Sequence, residues 1–131
     1  MLLMAEVSPS DTLYDLGSGD GRIVIIASKE FGASAIGVEI DPLLVAFSRM
    51  RIKKHVLKGK ARIIHGNLFK TDISNATIVT VFLRQSVNNM LREKFRAELK
   101  KGTRIVSYVH RFEGWNPIKS DEESQIFLYS I

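Results

Sequence analysis

The sequence predicts a single α/β domain, residues 1–131, built as a mostly parallel sheet of six or seven strands with helices on both faces. Three observations predict it. Short apolar runs alternate with longer segments of helical spacing along the chain. A glycine-rich turn follows the first apolar run directly. The 131 residues are 45% hydrophobic, enough for one core and too few for several.

The elements follow in order. Residues 1–6 read as the tail of a helix, which raises the expectation that an N-terminal segment normally precedes them. Residues 12–16 form a first strand that ends in glycines. Residues 22–31 are dense in Ile and Val, are too long for another strand, and stop at Gly32, so they read as a buried helix. Residues 35–40 are a second strand. Asp41 can cap the next helix and Pro42 suits its first turn. That helix is expected to run to Leu57 and to close at Lys58-Gly59-Lys60.

Residues 61–65 are a third strand, followed by a Gly66-Asn67 turn. Residues 77–83 are a fourth. Val87, Met90, Leu91, Lys94, Phe95 and Leu99 stand at helical spacing before Gly102. Residues 103–109 are a fifth strand, and residues 125–131 a last one, expected on an edge. Repeated strand–helix units with short connections make a doubly wound, Rossmann-like sheet.

Composition narrows the function classes. There is no cysteine, which removes disulfides, thiolate zinc sites and cysteine nucleophiles together and suits a reducing, cytoplasmic setting. No apolar run is long enough to span a bilayer, and no metal site is expected. The formal net charge of +5 favours acidic partners, but the Lys and Arg residues are spread over 49–62 and 92–104, as on an ordinary basic surface.

The chemistry concentrates at Asp15-Leu16-Gly17-Ser18-Gly19-Asp20-Gly21. Glycines at a strand end let the backbone turn sharply and approach a ligand, and the helix behind offers free N–H groups. A dinucleotide fingerprint would need its third glycine at position 22, where Arg22 stands, and a phosphate loop would need a Gly-Lys-Ser/Thr that is absent. Asp15 would repel a pyrophosphate and attract a cation. S-adenosylmethionine carries a sulfonium and an ammonium, so the sign of the charge selects it. Glu39 ends the second strand 18 positions after Gly21, where a carboxylate can accept from ribose hydroxyls. Ile40 can pack on the adenine. Asp41 could reach the ribose, though helix capping accounts for it. Asn67, followed by Leu68, stands after the third strand, where many methyltransferases place an Asp or Asn against the adenine amine and where a simple Gly-Asn turn accounts for it equally well.

These residues carry a family resemblance. The glycine loop with Arg22-Ile23, followed by Gly37-Val38-Glu39-Ile40-Asp41-Pro42, resembles the class I S-adenosylmethionine-dependent methyltransferases. Within them the chain is similar to the small archaeal broad-specificity protein lysine methyltransferases and their mitochondrial relatives that act on the c-ring protein of the ATP synthase. The likeness continues in Ser86-Val87-Asn88-Asn89-Met90-Leu91, in 102–107 and in Gly114-Trp115-Asn116-Pro117. The family pattern begins with a Pro-Thr-Pro-like helical segment that this sequence lacks. The resemblance implies S-adenosylmethionine as cofactor, held by Asp15, Leu16, Gly17, Ser18, Gly19, Glu39, Ile40, Asn67 and Leu68. It implies transfer of a methyl to a lysine ε-amine of a protein substrate, with no dedicated base to name. Tyr108, His110 and Trp115 could line the substrate channel, with packing or surface roles as their alternatives. A monomer is the expected state.

Two other functions stay open on the residues. An RNA methyltransferase suits the charge, but an Asn/Asp-Pro-Pro-aromatic motif is absent where Phe82-Leu83-Arg84-Gln85 stands. A non-catalytic module that binds cofactor or partner is the other.

Overall fold

A computed structural model describes residues 1–57 and 59–131 of the chain; Lys58, read above as part of a helix stop, lies outside the described residues. The elements are β1 (Thr12–Leu16), α1 (Arg22–Glu30), β2 (Ser34–Glu39), α2 (Pro42–Lys54), β3 (Ala61–His65), β4 (Ile78–Val81), α3 (Gln85–Glu98), β5 (Arg104–Tyr108), β6 (Lys119–Asp121) and β7 (Ile126–Ser130). They build one seven-stranded sheet in the order β3-β2-β1-β4-β5-β7-β6. The first five strands are parallel; β7 runs antiparallel to β5, and β6 antiparallel to β7.

The chain winds outward from β1 to β3, then returns to place β4 on the other side of β1. That reversal leaves a crevice beyond the carboxyl ends of β1 and β4, the place where open α/β sheets bind ligands.

Both sheet faces are covered, which is why the strands are apolar nearly throughout. Leu13, Val24, Ala27, Val45, Ile63, Ile78 and Val106 join Leu2, Ala5 and Val7 in one core under α1 and α2. Tyr14, Leu16, Val79, Val81 and Ile105 point the other way, to meet Leu91 and Phe95 on α3 and Leu99 just after it, together with Phe112 and Tyr129. Adjacent strand residues thus serve opposite faces, as the pleat requires. Residues 1–6 form successive turns rather than a regular helix, with one bond of helical spacing from the Ala5 N–H to the Met1 carbonyl.

Three expectations need correction. The second helix stops at Lys54, not Leu57: His55 is extended, and its N–H bonds the Ile52 carbonyl. The fourth strand is shorter than 77–83 and spans only Ile78–Val81. The last strand is not the edge. Lys119–Asp121, wholly exposed and without an apolar pattern, pairs outside it. A three-residue polar edge strand carries no periodic signal, and such short charged edges resist pairing with other chains.

Candidate functional site

The three glycines of the loop after β1 all take positive φ: Gly17 at 76°, Gly19 at 57° and Gly21 at 82°. This region favours glycine, so the loop's composition follows from its backbone. Gly17 and Ser18 donate to the Val38 carbonyl at 2.8 and 3.0 Å, which docks the loop on the end of β2. The docking needs Gly37 beneath it, because a Cβ there would stand 2.6 Å from the Ser18 side chain. A Cβ on Gly19, by contrast, would meet nothing within 4 Å. The space above Gly19 is open, as a cradle for a ligand requires.

Glu39 closes the loop from the other side. Its Oε1 accepts from the Gly19 N–H at 2.8 Å, and its Oε2 accepts from the N–H groups of Ile40 and Asp41, each at 3.0 Å. The carboxylate is therefore fixed by backbone donors on two elements. Asp41 caps α2: its Oδ1 accepts from the Leu43 N–H at 2.9 Å. Asn67 makes an Asx turn, accepting from the Phe69 N–H at 2.9 Å.

Two cavities meet at Gly17. One of about 240 Å³ is lined by Val38, Glu39, Ile40, Asn67, Leu68 and Phe69. Its walls are apolar with one carboxylate at the side, and Ile40 is 65% exposed there. The other, of about 650 Å³, contains Asp15, Ser18, Asp20, Phe82, Tyr108 and Glu123 among its walls. Together they form a bent cleft along the carboxyl edge of the sheet.

Asp15 sits at the floor of the larger cavity, 6% exposed. Burial pushes its carboxyl up to about 7, with smaller contributions from the negative charges of Asp20 and Glu39; a 2.8 Å bond from Thr80 Oγ1 opposes the rise. Thr80 faces Asp15 in the β1–β4 register, so the sheet itself delivers this donor. Three carboxyl groups, Asp15, Asp20 and Glu39, thus gather around one loop. Asp20 is partly compensated by Arg51 at 3.3 Å and Arg22 at 3.6 Å.

The structure brings Asp15, Gly17, Ser18 and Gly19 to one cavity, and Glu39, Ile40, Asn67 and Leu68 to its neighbour. Leu16 is fully buried in the core with its side chain away from both. Tyr108 lines the larger cavity, with its ring 4.7 Å from that of Phe82 and steeply inclined to it. His110 and Trp115 are not among that cavity's walls. Trp115 stacks on Phe112 at 5.1 Å and carries Arg96 over its face at 5.2 Å, in an aromatic cluster on the α3 side. His110 contributes its carbonyl to a turn instead. Sequence reasoning missed Phe82 and Phe69 as cavity walls, although Phe82 directly follows a strand at its carboxyl end, where ligands bind. Among the described residues no cluster of His, Asp or Glu could hold a metal, and no helix is long and apolar enough to cross a membrane.

Comparison with known proteins places this geometry. The family model described as the ANTKMT methyltransferase domain matches residues 15–119. A protein-lysine N-methyltransferase of Saccharolobus islandicus (strain REY15A) is 46% identical over 138 aligned residues, covering all of this chain and 86% of that protein. The adenine nucleotide translocase lysine N-methyltransferase of Mus musculus is 35% identical over 91% of this chain, which spans only 53% of that protein's length. A crystal structure from Salinibacter ruber, of a protein described as an RNA methyltransferase in complex with S-adenosyl-L-homocysteine, superposes with a TM-score of 0.96 at 41% identity, covering 99% of this chain and 86% of that one. The chain therefore belongs to the ANTKMT methyltransferase domain family.

Proposed function

We propose that the chain is an S-adenosylmethionine-dependent methyltransferase that methylates lysine ε-amines of proteins. The observation that carries the reading is the Gly17–Gly21 loop tied to Glu39 across an open cleft with Asp15 at its floor. The cleft suits the cofactor's three parts. Ile40, Leu68 and Phe69 offer apolar surface for a base, Glu39 offers a fixed acceptor for ribose hydroxyls, and Asp15 and the glycine loop offer negative charge and N–H groups for the amino-acid end. When bound, S-adenosylmethionine supplies the methyl on a sulfonium whose positive charge also disfavours a second cation beside it.

The acceptor end is the part of the larger cavity walled by Phe82 and Tyr108. An aromatic pair can hold the alkyl stem of a lysine, and Glu123 on the rim can attract its ammonium. The amine must lose its proton to attack. From a pKa of about 10.4 that costs about 4.6 kcal/mol at about pH 7. The apolar surface of Phe82 and Tyr108 and the positive charge of the cofactor's sulfonium both act to lower this cost, because each disfavours the ammonium. The protein's remaining task is alignment, since displacement needs the amine in line with the methyl. The relatives named for protein lysines support this acceptor.

A second reading is RNA methylation. The +5 charge and the likeness to the Salinibacter protein favour it. The two separate in one experiment: incubation with methyl-labelled S-adenosylmethionine, a lysine-rich protein and total RNA together. We expect label in the protein fraction; label confined to RNA would overturn the lysine reading.

A further inference from the structure

β5 leaves the sheet through a strained turn. Val109 has φ of 73°, a conformation that a β-branched residue adopts only under constraint. The His110 N–H bonds the Tyr108 carbonyl at 3.0 Å across it, making a γ-turn of the rare strained kind.

Two fully buried polar residues hold this turn, one from α3 and one from β5. Asn88 Nδ2 lies 3.2 Å from Ser107 Oγ, 3.3 Å from the His110 carbonyl and 3.3 Å from the Arg111 carbonyl. Two of those partners can only accept, which fixes the amide's orientation. Ser107 Oγ also donates to the His110 carbonyl. Gln85 Nε2 donates to the Arg111 carbonyl at 2.6 Å, and the Val109 N–H donates to the Gln125 carbonyl at 2.8 Å. Meanwhile Asn88 Oδ1 is buried with no partner among the described residues. A turn needed only to reverse the chain could use a glycine and no buried amide. Strain and an unsatisfied oxygen together, at the carboxyl edge of the sheet, mark a constraint other than stability.

The residue on the near side of the turn is Tyr108, in the wall of the larger cavity against Phe82. We infer that Asn88, with Ser107, is a positioning residue: it locks the Val109 turn and so fixes the Tyr108 ring where the acceptor is aligned. Neither side chain lines the cavity, so each acts only through the turn. The inference rests on the reading that this end of the cavity receives the acceptor.

The test compares Asn88→Ala, Ser107→Ala and Val109→Asn with the wild type, each measured for melting temperature, S-adenosylmethionine affinity, and KM and kcat toward a lysine-rich protein. Asn88→Ala and Ser107→Ala should keep cofactor affinity and lose about tenfold in kcat/KM for the acceptor, since small misplacement is costly to in-line transfer. Val109→Asn keeps a residue tolerant of positive φ, and should melt no lower than wild type with near-native kinetics. If Asn88→Ala fails to fold, Ser107→Ala, a far smaller change, carries the test. A role confined to stability would lower the melting temperature of both alanine variants and leave the kinetic constants unchanged, which overturns the inference. A wild type that transfers nothing to lysine would overturn it together with the acceptor reading, whereas an active wild type with kinetically native variants overturns this inference alone.

Discussion

Glu39 accepts three backbone N–H bonds with two oxygens. A carboxylate has about four lone-pair sites, so most of its capacity is already committed before a ligand arrives. It holds Gly19 in place, and we propose that its remaining capacity serves a ribose. Glu39→Ala removes both, and should weaken S-adenosylmethionine binding on the order of a hundredfold, as the loss of charged hydrogen bonds does. Calorimetric titration measures it; unchanged affinity would dismiss the clamp. Asp15 gives a pH signature. Its carboxyl titrates at about 7 in the folded protein, well above its unfolded value, because it is buried. Between about pH 4 and 7 the folded state thus holds a proton that the unfolded state has lost, so stability falls as pH rises through that window and the whole penalty is present above it. Asp15→Asn should raise the melting temperature of the free protein at about pH 8 and change it little at about pH 4, as a thermal melt series would show. A cationic ligand favours the carboxylate, so cofactor affinity should strengthen as pH rises through about 7.

At the scale of elements, the meeting of loop and strand is decided by packing. In Gly37→Ala the new Cβ would press on Ser18 at 2.6 Å and Ile63 at 2.8 Å. The variant should lose about 1–3 kcal/mol by denaturant unfolding and, by lifting the glycine loop, lose cofactor affinity as well. On the opposite face Phe95 fixes α3 to the sheet, fully buried against Phe112 and near Trp115. Phe95→Ala should cost about 3–5 kcal/mol, read as a lower unfolding midpoint at constant slope. How far the sequence reveals these elements follows from their signals. The strands of the parallel sheet are continuous apolar runs, and Asp41-Pro42 and the glycines are capping and turn residues with fixed conformational meaning, so they read directly. The edge strand Lys119–Asp121 has no pattern to read. The end of α2 reads too late because apolar Val56 and Leu57 continue a helical run, although Val56 stands 90% exposed. Asp15 and Glu39 are legible because their distances from the glycines are set by one βαβ unit. Tyr108 is legible as a residue at a strand end. Asn88 and Ser107 are visible only as members of a resembling segment, because their contact joins a helix to a strand 19 positions away.

For the whole molecule, the order reversal between β1 and β4 places every cofactor candidate except Leu16 around one cleft. The +5 charge is spread over the surface, and the walls of that cleft are richer in acids than in bases. RNA bound to the outside should therefore be released steeply by salt, while methyl transfer to a neutral lysine-bearing peptide should change little between about 50 and 200 mM salt. The most direct measurement is intact-mass analysis of a lysine-bearing protein after incubation with S-adenosylmethionine and this chain, run beside the same acceptor with its lysines acetylated and beside Glu39→Ala. We expect added methyl groups on the unblocked acceptor with the wild-type chain, none on the acetylated one, and few with the variant. Methyl groups on the acetylated acceptor, or equal transfer by Glu39→Ala at limiting cofactor, would contradict lysine methylation at this cleft.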